Sequence, residues 1–399
     1  MTRAYGREMT NRTTSALRLA TVCAPMFLVL LDVLVVNVAM PSVGHDFAVG
    51  EGAWSGLVDA YTLPLAAALL VGGWLSDRLG ARRLLIAGLV VFGAASVLCA
   101  GAPSWTALLA GRVAQGLGAA AMLPASLAVL TGIWSGEPAR SRALGVWSGA
   151  SALATALGPA VGGLVLAVAS WRMIFWLNLP ICVAALAGAL RLLPPVRRAS
   201  ADHAFPVHRT SLVGSTLAGG LMTIVGNGSL TGMTLYLRES LDLAPLPAAA
   251  ALLIGTIPFA ALGPVSGRMM DRLGRRRTAG AGFGAGAIAL ALTSMLAPAG
   301  ATAASVVVLL LGVGIALGLM TAPIVGEAMS ALPGRQGLAA GVNNTARQIG
   351  TSVGVAGATA LTAHVGGGST GLAWVALIAA ATWCLALLVV GRSFAGPAG

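Results

Sequence analysis

The sequence predicts an all-α integral membrane protein whose helices, about twelve of them at the ~20 residues needed per crossing, form two pseudo-symmetric six-helix bundles. Three observations lead there. Hydrophobic residues make up 57% of the chain and charged residues only 9%, with a mean hydropathy of +0.88, which excludes a water-soluble domain of this length. Long apolar runs recur with short connectors between them. A charged loop, Gly73-Trp74-Leu75-Ser76-Asp77-Arg78-Leu79-Gly80-Ala81-Arg82-Arg83, returns as Gly267-Arg268-Met269-Met270-Asp271-Arg272-Leu273-Gly274-Arg275-Arg276-Arg277, so the chain reads as a duplication.

The apolar runs of the first bundle lie at 18–41, 53–75, 84–101, 105–130, 142–166 and 172–192. Those of the second lie at 212–237, 247–267, 279–297, 302–325, 338–363 and 371–391. This gives an N-terminal segment 1–17, a bundle over 18–192, a connector at 193–211, a bundle over 212–391 and a tail at 392–399. The run from residue 18 is too long for the apolar core of a signal peptide, carries an acid and shows no small-residue cleavage site, so a retained span is expected.

All 24 basic residues are Arg, and the net charge is +12. A GC-rich genome accounts for the missing Lys and for the abundant Ala and Gly. The arginines sit in short loops between apolar runs rather than on one face of a folded domain, which argues against a nucleic-acid partner. They also alternate: the N-terminal segment, the 76–83 loop, Arg140 and Arg142, the connector, the 268–277 loop, Arg335 and Arg392 share one side. Only Arg172 and Arg238 fall on the other, beside Asp46, Glu51, Glu239 and Asp242. Both termini are therefore expected in the cytoplasm of a multi-pass, bacterial cell-membrane protein. Cys23, Cys99, Cys182 and Cys384 all lie inside apolar runs, with neither disulfide nor metal-ligand spacing. No metal or cofactor is expected, no Walker-type loop is present, and without Lys none is possible.

Charges inside the spans carry the chemistry. An ionised Asp at mid-membrane costs at least ~2.5 kcal/mol, so Asp32 should face a cavity or a partner. From Arg18 to Asp32 is about 20 Å of helix; Arg112 sits about 10 Å below Trp105 and Asp59 about 8 Å below Trp54. These depths are similar. Desolvation favours a neutral acid and a neighbouring guanidinium favours the ionised one, so an acid that alternates between them can carry a proton. Asp32 is the first candidate carrier, Asp59 the second, and Arg112 the charge that competes with the proton. A fixed Asp–Arg pair that only holds the bundle together is the other reading.

Polar residues within spans, namely Asn37, Tyr61, Gln115, Asn227, Asn343, Asn344, Arg347 and Gln348, are candidates to line a substrate cavity. Interhelical hydrogen bonding is equally open for each. Asn343, Asn344 and Arg347 can share a helix face. Met122, Met222, Met233, Phe259 and Trp147 are either an adaptable apolar wall or plain packing. Glu327, near the cytoplasmic end of its span, suits gating or ordinary solvation.

The 73–83 loop closely matches the signature loop of the major facilitator superfamily, and further stretches resemble its drug:proton antiporters. Leu31-Asp32-Val33-Leu34-Val35-Val36-Asn37-Val38-Ala39-Met40-Pro41 is similar to the first-span signature of the EmrB/QacA group of multidrug exporters. Gly111-Arg112-Val113-Ala114-Gln115-Gly116-Leu117-Gly118 resembles the fourth-span motif. Gly145, Gly158-Pro159 and Gly162-Gly163 are spaced like the fifth-span antiporter motif, with Ala154 where the pattern has Gly. Trp171 to Phe175 with Asn178-Leu179-Pro180 resembles the start of the sixth span. That group usually has fourteen spans, and the 193–211 connector is too short for an extra pair.

The resemblance implies export of a hydrophobic or amphipathic drug or secondary metabolite by alternating access, with the proton gradient as energy source and a monomer as the working unit. It also implies a cytoplasmic gate built from Gly73, Asp77, Arg78, Gly80, Arg82 and Arg83 with Asp271 and Arg272 of the second copy, and a bent fifth span that limits leak. On the residues alone, the same loop serves as a topology anchor, with Asp77 placed to cap the helix that follows it. A transporter of a small polar metabolite, an importer included, would line its cavity more densely with charge. A transport-dead sensor or scaffold would tolerate loss of Asp32 and Arg112.

Overall fold

The computed structural model describes residues 2–50, 53–195, 207–300 and 302–394. Among these residues the chain is helical almost throughout: α1 Thr2–Asp46, α2 Ser55–Leu79, α3 Ala81–Ala100, α4 Trp105–Ile133, α5 Glu137–Val168, α6 Arg172–Arg191, α7 Arg209–Leu235, α8 Pro245–Leu296, α9 Thr302–Ala331, α10 Gln336–Val365 and α11 Gly368–Ser393. A one-turn π-helix at Tyr236–Ser240 follows α7. Helices dominate because a chain this apolar has to satisfy its backbone N–H and C=O groups within each segment.

Eleven helices stand where twelve runs are expected, and the difference lies in α8. Its 52 residues would span about 78 Å at 1.5 Å each, far more than a bilayer core. Gly274, at φ 80 and ψ 164, is non-helical and divides it into limbs at 245–273 and 275–296. Gly80 does the same between α2 and α3 at φ 99. Both copies of the charged loop thus turn on a glycine in the left-handed region, where a Cβ would be strained. Among the described residues, nine helices are long and apolar enough to cross a membrane; α7 and α10, richer in Gly, Ser, Thr and Asn, fall short in composition though not in length.

Helix ends also differ from the apolar runs. Helix α1 begins at Thr2 and passes through Pro25 and Pro41 to Asp46, so part of the 1–17 segment is helical and the expected end at Pro41 is overrun. Proline within a membrane helix is tolerated where neighbours compensate the lost N–H. Of the connector, Arg197, Arg198, Asp202 and His203 lie outside the described residues, as do Glu51 and the tail from residue 395.

Packing divides the chain into two compact units. The first comprises Met1–Ser135, Leu157–Phe205 and Gly334–Gly341, and the second Gly136–Ala156, Pro206–Pro333 and Val342–Gly399. The division does not run through the connector alone: the start of α5 belongs with α8, and the start of α10 with α2. Glycines explain this. In the first unit, a Cβ on Gly73 would strike the Gly337 carbonyl, and one on Gly341 would meet the Leu69 carbonyl at 2.7 Å. In the second, a Cβ on Gly145 would meet the Gly263 carbonyl at 2.6 Å, and one on Gly267 the Ser141 carbonyl at 2.7 Å. Bare backbones can approach this closely only without side chains between them.

The first unit is filled by Leu57, Leu69, Leu85, Leu89, Phe92 and Phe175, and the second by Met222, Phe283, Leu290, Leu309, Met320 and Trp383, all essentially inaccessible. Met122, Met222, Met233 and Trp147 are buried core residues. Met222 is fixed further by a hydrogen bond from Thr321 Oγ1 to its sulfur.

Candidate functional site

Five helices of the first unit send polar side chains to one point. Helix α1 supplies Asp32, α3 Ser96, α4 Arg112 and Gln115, α6 Asn178, and α2 the Leu57 carbonyl with the ring of Tyr61. Asp32 is 1% exposed and Arg112 0%, which decides the energetics: neither charge is solvated, so each must be satisfied by protein. Arg112 Nη1 donates to Asp32 Oδ2 at 2.5 Å and to Gln115 Oε1 at 2.9 Å. Its Nε donates to the Leu57 carbonyl at 3.2 Å, and its guanidinium lies 4.3 Å over the centre of the Tyr61 ring, a favourable cation–π placement.

The second carboxylate oxygen is equally occupied. Asn178 Nδ2 donates to Asp32 Oδ1 at 2.7 Å, with Gln115 Nε2 at 3.5 Å. Gln115 also donates to Ser96 Oγ at 2.8 Å, and Ser96 donates to the Phe92 carbonyl at 2.8 Å. The network therefore carries one negative and one positive charge, cross-linked by two amides. Protonation of Asp32 would cancel its attraction for Arg112 and leave the guanidinium with Gln115, the Leu57 carbonyl and the Tyr61 face.

The similar depth expected for Asp32, Asp59 and Arg112 does not bring all three together. Leu57 and Tyr61 are buried, whereas Asp59, between them on α2, is exposed on a different face and stands apart from the pair. Asn37 is likewise exposed. Ser96 and Asn178 join the network although neither was singled out for it. Asn178 carried a signal, a buried-span amide within Asn-Leu-Pro; Ser96 carried none.

The charged loop acts on a helix other than the one expected. Asp77 does not cap α3, whose N-cap is Gly80 without a side-chain bond. Its Oδ1 accepts from the Gly337 amide and its Oδ2 from the Leu338 amide, both at 2.8 Å, so it caps the start of α10 within the first unit. Four unpaired N–H groups and the positive end of a helix make that site attractive to a carboxylate. Arg82 ties the loop to the end of α6 through the carbonyls of Ala189 and Leu190, at 2.9 and 2.7 Å. Arg78 lies 5.0 Å over the Trp74 ring, and Arg83 is exposed.

In the second copy the corresponding Asp271 pairs with Arg142 Nε at 3.1 Å, at the start of α5. Arg275 bridges Glu137, at 2.8 Å to both oxygens, and Glu327 at 3.4 Å. Arg272 is exposed. At the other end of the helices Asp46 accepts from Arg172 at 2.8 Å and from the Trp171 indole at 3.0 Å.

Of the fifth-span glycines, Gly145 meets α8 as described. Gly158 and Gly162 face α1, where an added Cβ would stand 2.5 Å from Leu34 Cβ and 3.1 Å from Val38 Cβ. An added Cβ on Gly163 would meet nothing within 4 Å among the described residues, and Pro159 lies inside the continuous helix. In the second unit, Asn227 Nδ2 donates to Thr351 Oγ1 at 3.1 Å and Asn343 Nδ2 to the Ser215 carbonyl at 3.2 Å. Asn344 Nδ2 and the Nε and Nη1 atoms of Arg347 are sequestered without a hydrogen-bond partner among the described residues.

Known proteins of similar sequence include the methylenomycin A resistance protein of Bacillus subtilis, 38% identical over 42% of this chain and 36% of its own length. The cephamycin export protein of Amycolatopsis lactamdurans is 32% identical over 57% of this chain and 47% of its own. The puromycin resistance protein of Streptomyces alboniger is 33% identical over 52% and 40%. The chain thus spans less than half the length of these curated relatives. In fold it is similar to the crystal structure of the human organic anion transporter MFSD10, with a TM-score of 0.71 and 16% identity over 95% of this chain and 99% of that one. Residues 22–355 match the Major Facilitator Superfamily, and the chain belongs to this superfamily of multi-pass membrane transporters of small molecules.

Proposed function

We propose that the protein exports a hydrophobic or amphipathic compound, a drug or secondary metabolite, across the cell membrane in exchange for protons, working as a monomer with both termini in the cytoplasm. The observation that carries this reading is Asp32: a sealed carboxylate that accepts from Arg112, Asn178 and Gln115, with Arg112 as its counter-charge. Such a group is expensive in a membrane and is retained where it moves charge. The relatives named for resistance or export point the same way. The proton gradient supplies the energy and no cofactor is needed. Asp77 on the α10 N-terminus, with Asp271 on Arg142, serves as the cytoplasmic latch that opens and closes during the cycle. The Arg-rich loops favour this orientation.

The test uses the full chain in proteoliposomes with an imposed pH gradient and three dansyl probes that share one apolar body: acidic dansyl-leucine, neutral dansyl-leucinamide and cationic dansylcadaverine. At least one probe should move against its gradient, and a protonophore should stop it. Uptake of none of them, or uptake indifferent to the pH gradient, would reject proton-driven export. Undiminished gradient-driven movement in Asp32→Asn would remove Asp32 as the carrier.

A further inference from the structure

We infer that Arg347, with Asn344 one turn before it, forms a subsite in the second unit for an acidic group, a carboxylate or sulfonate, on the transported compound. The inference rests on the export reading and adds the class of substrate.

Helix α10 starts at Gln336, which puts Arg347 about 16 Å along it, well inside the helix rather than at its solvated end. A guanidinium keeps its charge at any ordinary pH, so it cannot escape the cost of burial by losing a proton. Yet its Nε and Nη1 have no partner among the described residues. The acids of this unit are engaged or distant. Glu137 and Glu327 hold Arg275, Asp271 holds Arg142, and Glu239 and Asp242 are exposed beyond the end of α7.

Several nearby polar groups are already committed. Thr223 and Thr351 donate their hydroxyls to the Arg347 carbonyl at 2.8 and 3.0 Å, Asn227 is turned to Thr351, and Asn343 is turned to the Ser215 carbonyl. What remains without a partner among the described residues is Nε and Nη1 of Arg347, Nδ2 of Asn344 and the hydroxyls of Thr345 and, on α7, Thr216, a set dominated by donors. Across from them, α7 presents Gly219, whose Cβ position lies only 3.0 Å from Asn343 Nδ2 and 3.4 Å from Arg347 Cγ. The stem of Arg347 is therefore held against bare backbone while its charged end lacks a mate. A cluster of donors carrying one fixed positive charge selects an anionic acceptor and repels a cation.

Titration of the full chain in lipid nanodiscs with the three dansyl probes, followed by dansyl fluorescence, tests this. Wild type should bind dansyl-leucine about tenfold more tightly than dansyl-leucinamide, the scale of one charge-assisted hydrogen bond. Arg347→Gln should bring the acid to within about twofold of the amide and leave the amide unchanged, while Arg347→Lys should keep part of the preference. Equal affinity for acid and amide in wild type, no binding of the acid, or an acid preference intact in Arg347→Gln overturns the inference. Should Arg347→Gln fail to fold by size exclusion, the wild-type ratio and its reduction in Asn344→Leu decide instead. The readout is binding rather than flux, so a failure of gradient-driven transport would reject export while leaving this result to stand or fall separately.

Discussion

Replacing Asp32 by Asn preserves shape but strips Arg112 of its counter-charge. The carboxylate and the guanidinium are both fully enclosed, so the variant leaves a cation held by neutral groups alone, the new amide oxygen, Gln115 Oε1, the Leu57 carbonyl and the Tyr61 face among them. Breaking a buried pair in this way costs about 3–5 kcal/mol. Arg112→Gln strands Asp32 instead, with Asn178 and Gln115 still donating to it. The double variant strands neither charge and should lose only about 1–2 kcal/mol of hydrogen bonding. Unfolding of the four proteins in mixed micelles, followed by circular dichroism, closes a double-mutant cycle, and a coupling energy of at least about 2–3 kcal/mol is expected. If the double variant costs the sum of the singles to within about 0.5 kcal/mol, the two residues do not depend on each other and the competition between proton and Arg112 has no basis.

Further outcomes follow from the same geometry. Gly158→Ala drives a methyl against Leu34 and should destabilise by about 1–3 kcal/mol, whereas Gly163→Ala, which meets nothing, should be neutral or slightly stabilising in the same micelle assay. Asp77→Ala should release the amides of Gly337 and Leu338 and speed their hydrogen exchange at least about tenfold, as the loss of two charge-assisted bonds implies; unchanged protection would dissociate Asp77 from α10. Gly80→Ala forces a Cβ into φ 99 and should cost about 1–2 kcal/mol. By contrast, Arg172→Gln breaks only an exposed pair with Asp46 and should cost under about 1 kcal/mol.

Asp32 and Arg112 were legible as partners because a membrane charges so heavily for lone ions that two in reach of each other invite pairing. Asp59 misled because depth along a helix says nothing of azimuth: Leu57 and Tyr61 bracket it at two residues each, and a step of two turns a side chain about 200° round the axis. Ser96 was invisible, since a serine bonded to the carbonyl four residues back, here Phe92, is ordinary in any membrane helix. Duplication of the charged loop could be read directly, but its partners could not. They sit on α10, 260 residues from Asp77, and on α5, 129 residues from Asp271, and only packing decides that Asp77 reaches past α3. Helix number was obscured at Gly274 for a related reason: one residue's torsion separates the two limbs of α8, and the Arg-rich stretch beyond it is a good helix former.

The two loop aspartates are anchored by different kinds of group. Asp77 is held by peptide amides at 337 and 338, which every residue but proline supplies, so drift in the side chains there leaves its anchorage intact. Asp271 depends on one guanidinium, that of Arg142, 65% exposed, and salt in the medium shields such a pair over a Debye length of about 8 Å under physiological conditions. Of two sister loops descended from one ancestor, one is thereby insured against both mutation and ionic strength, and the other stays open to tuning by each.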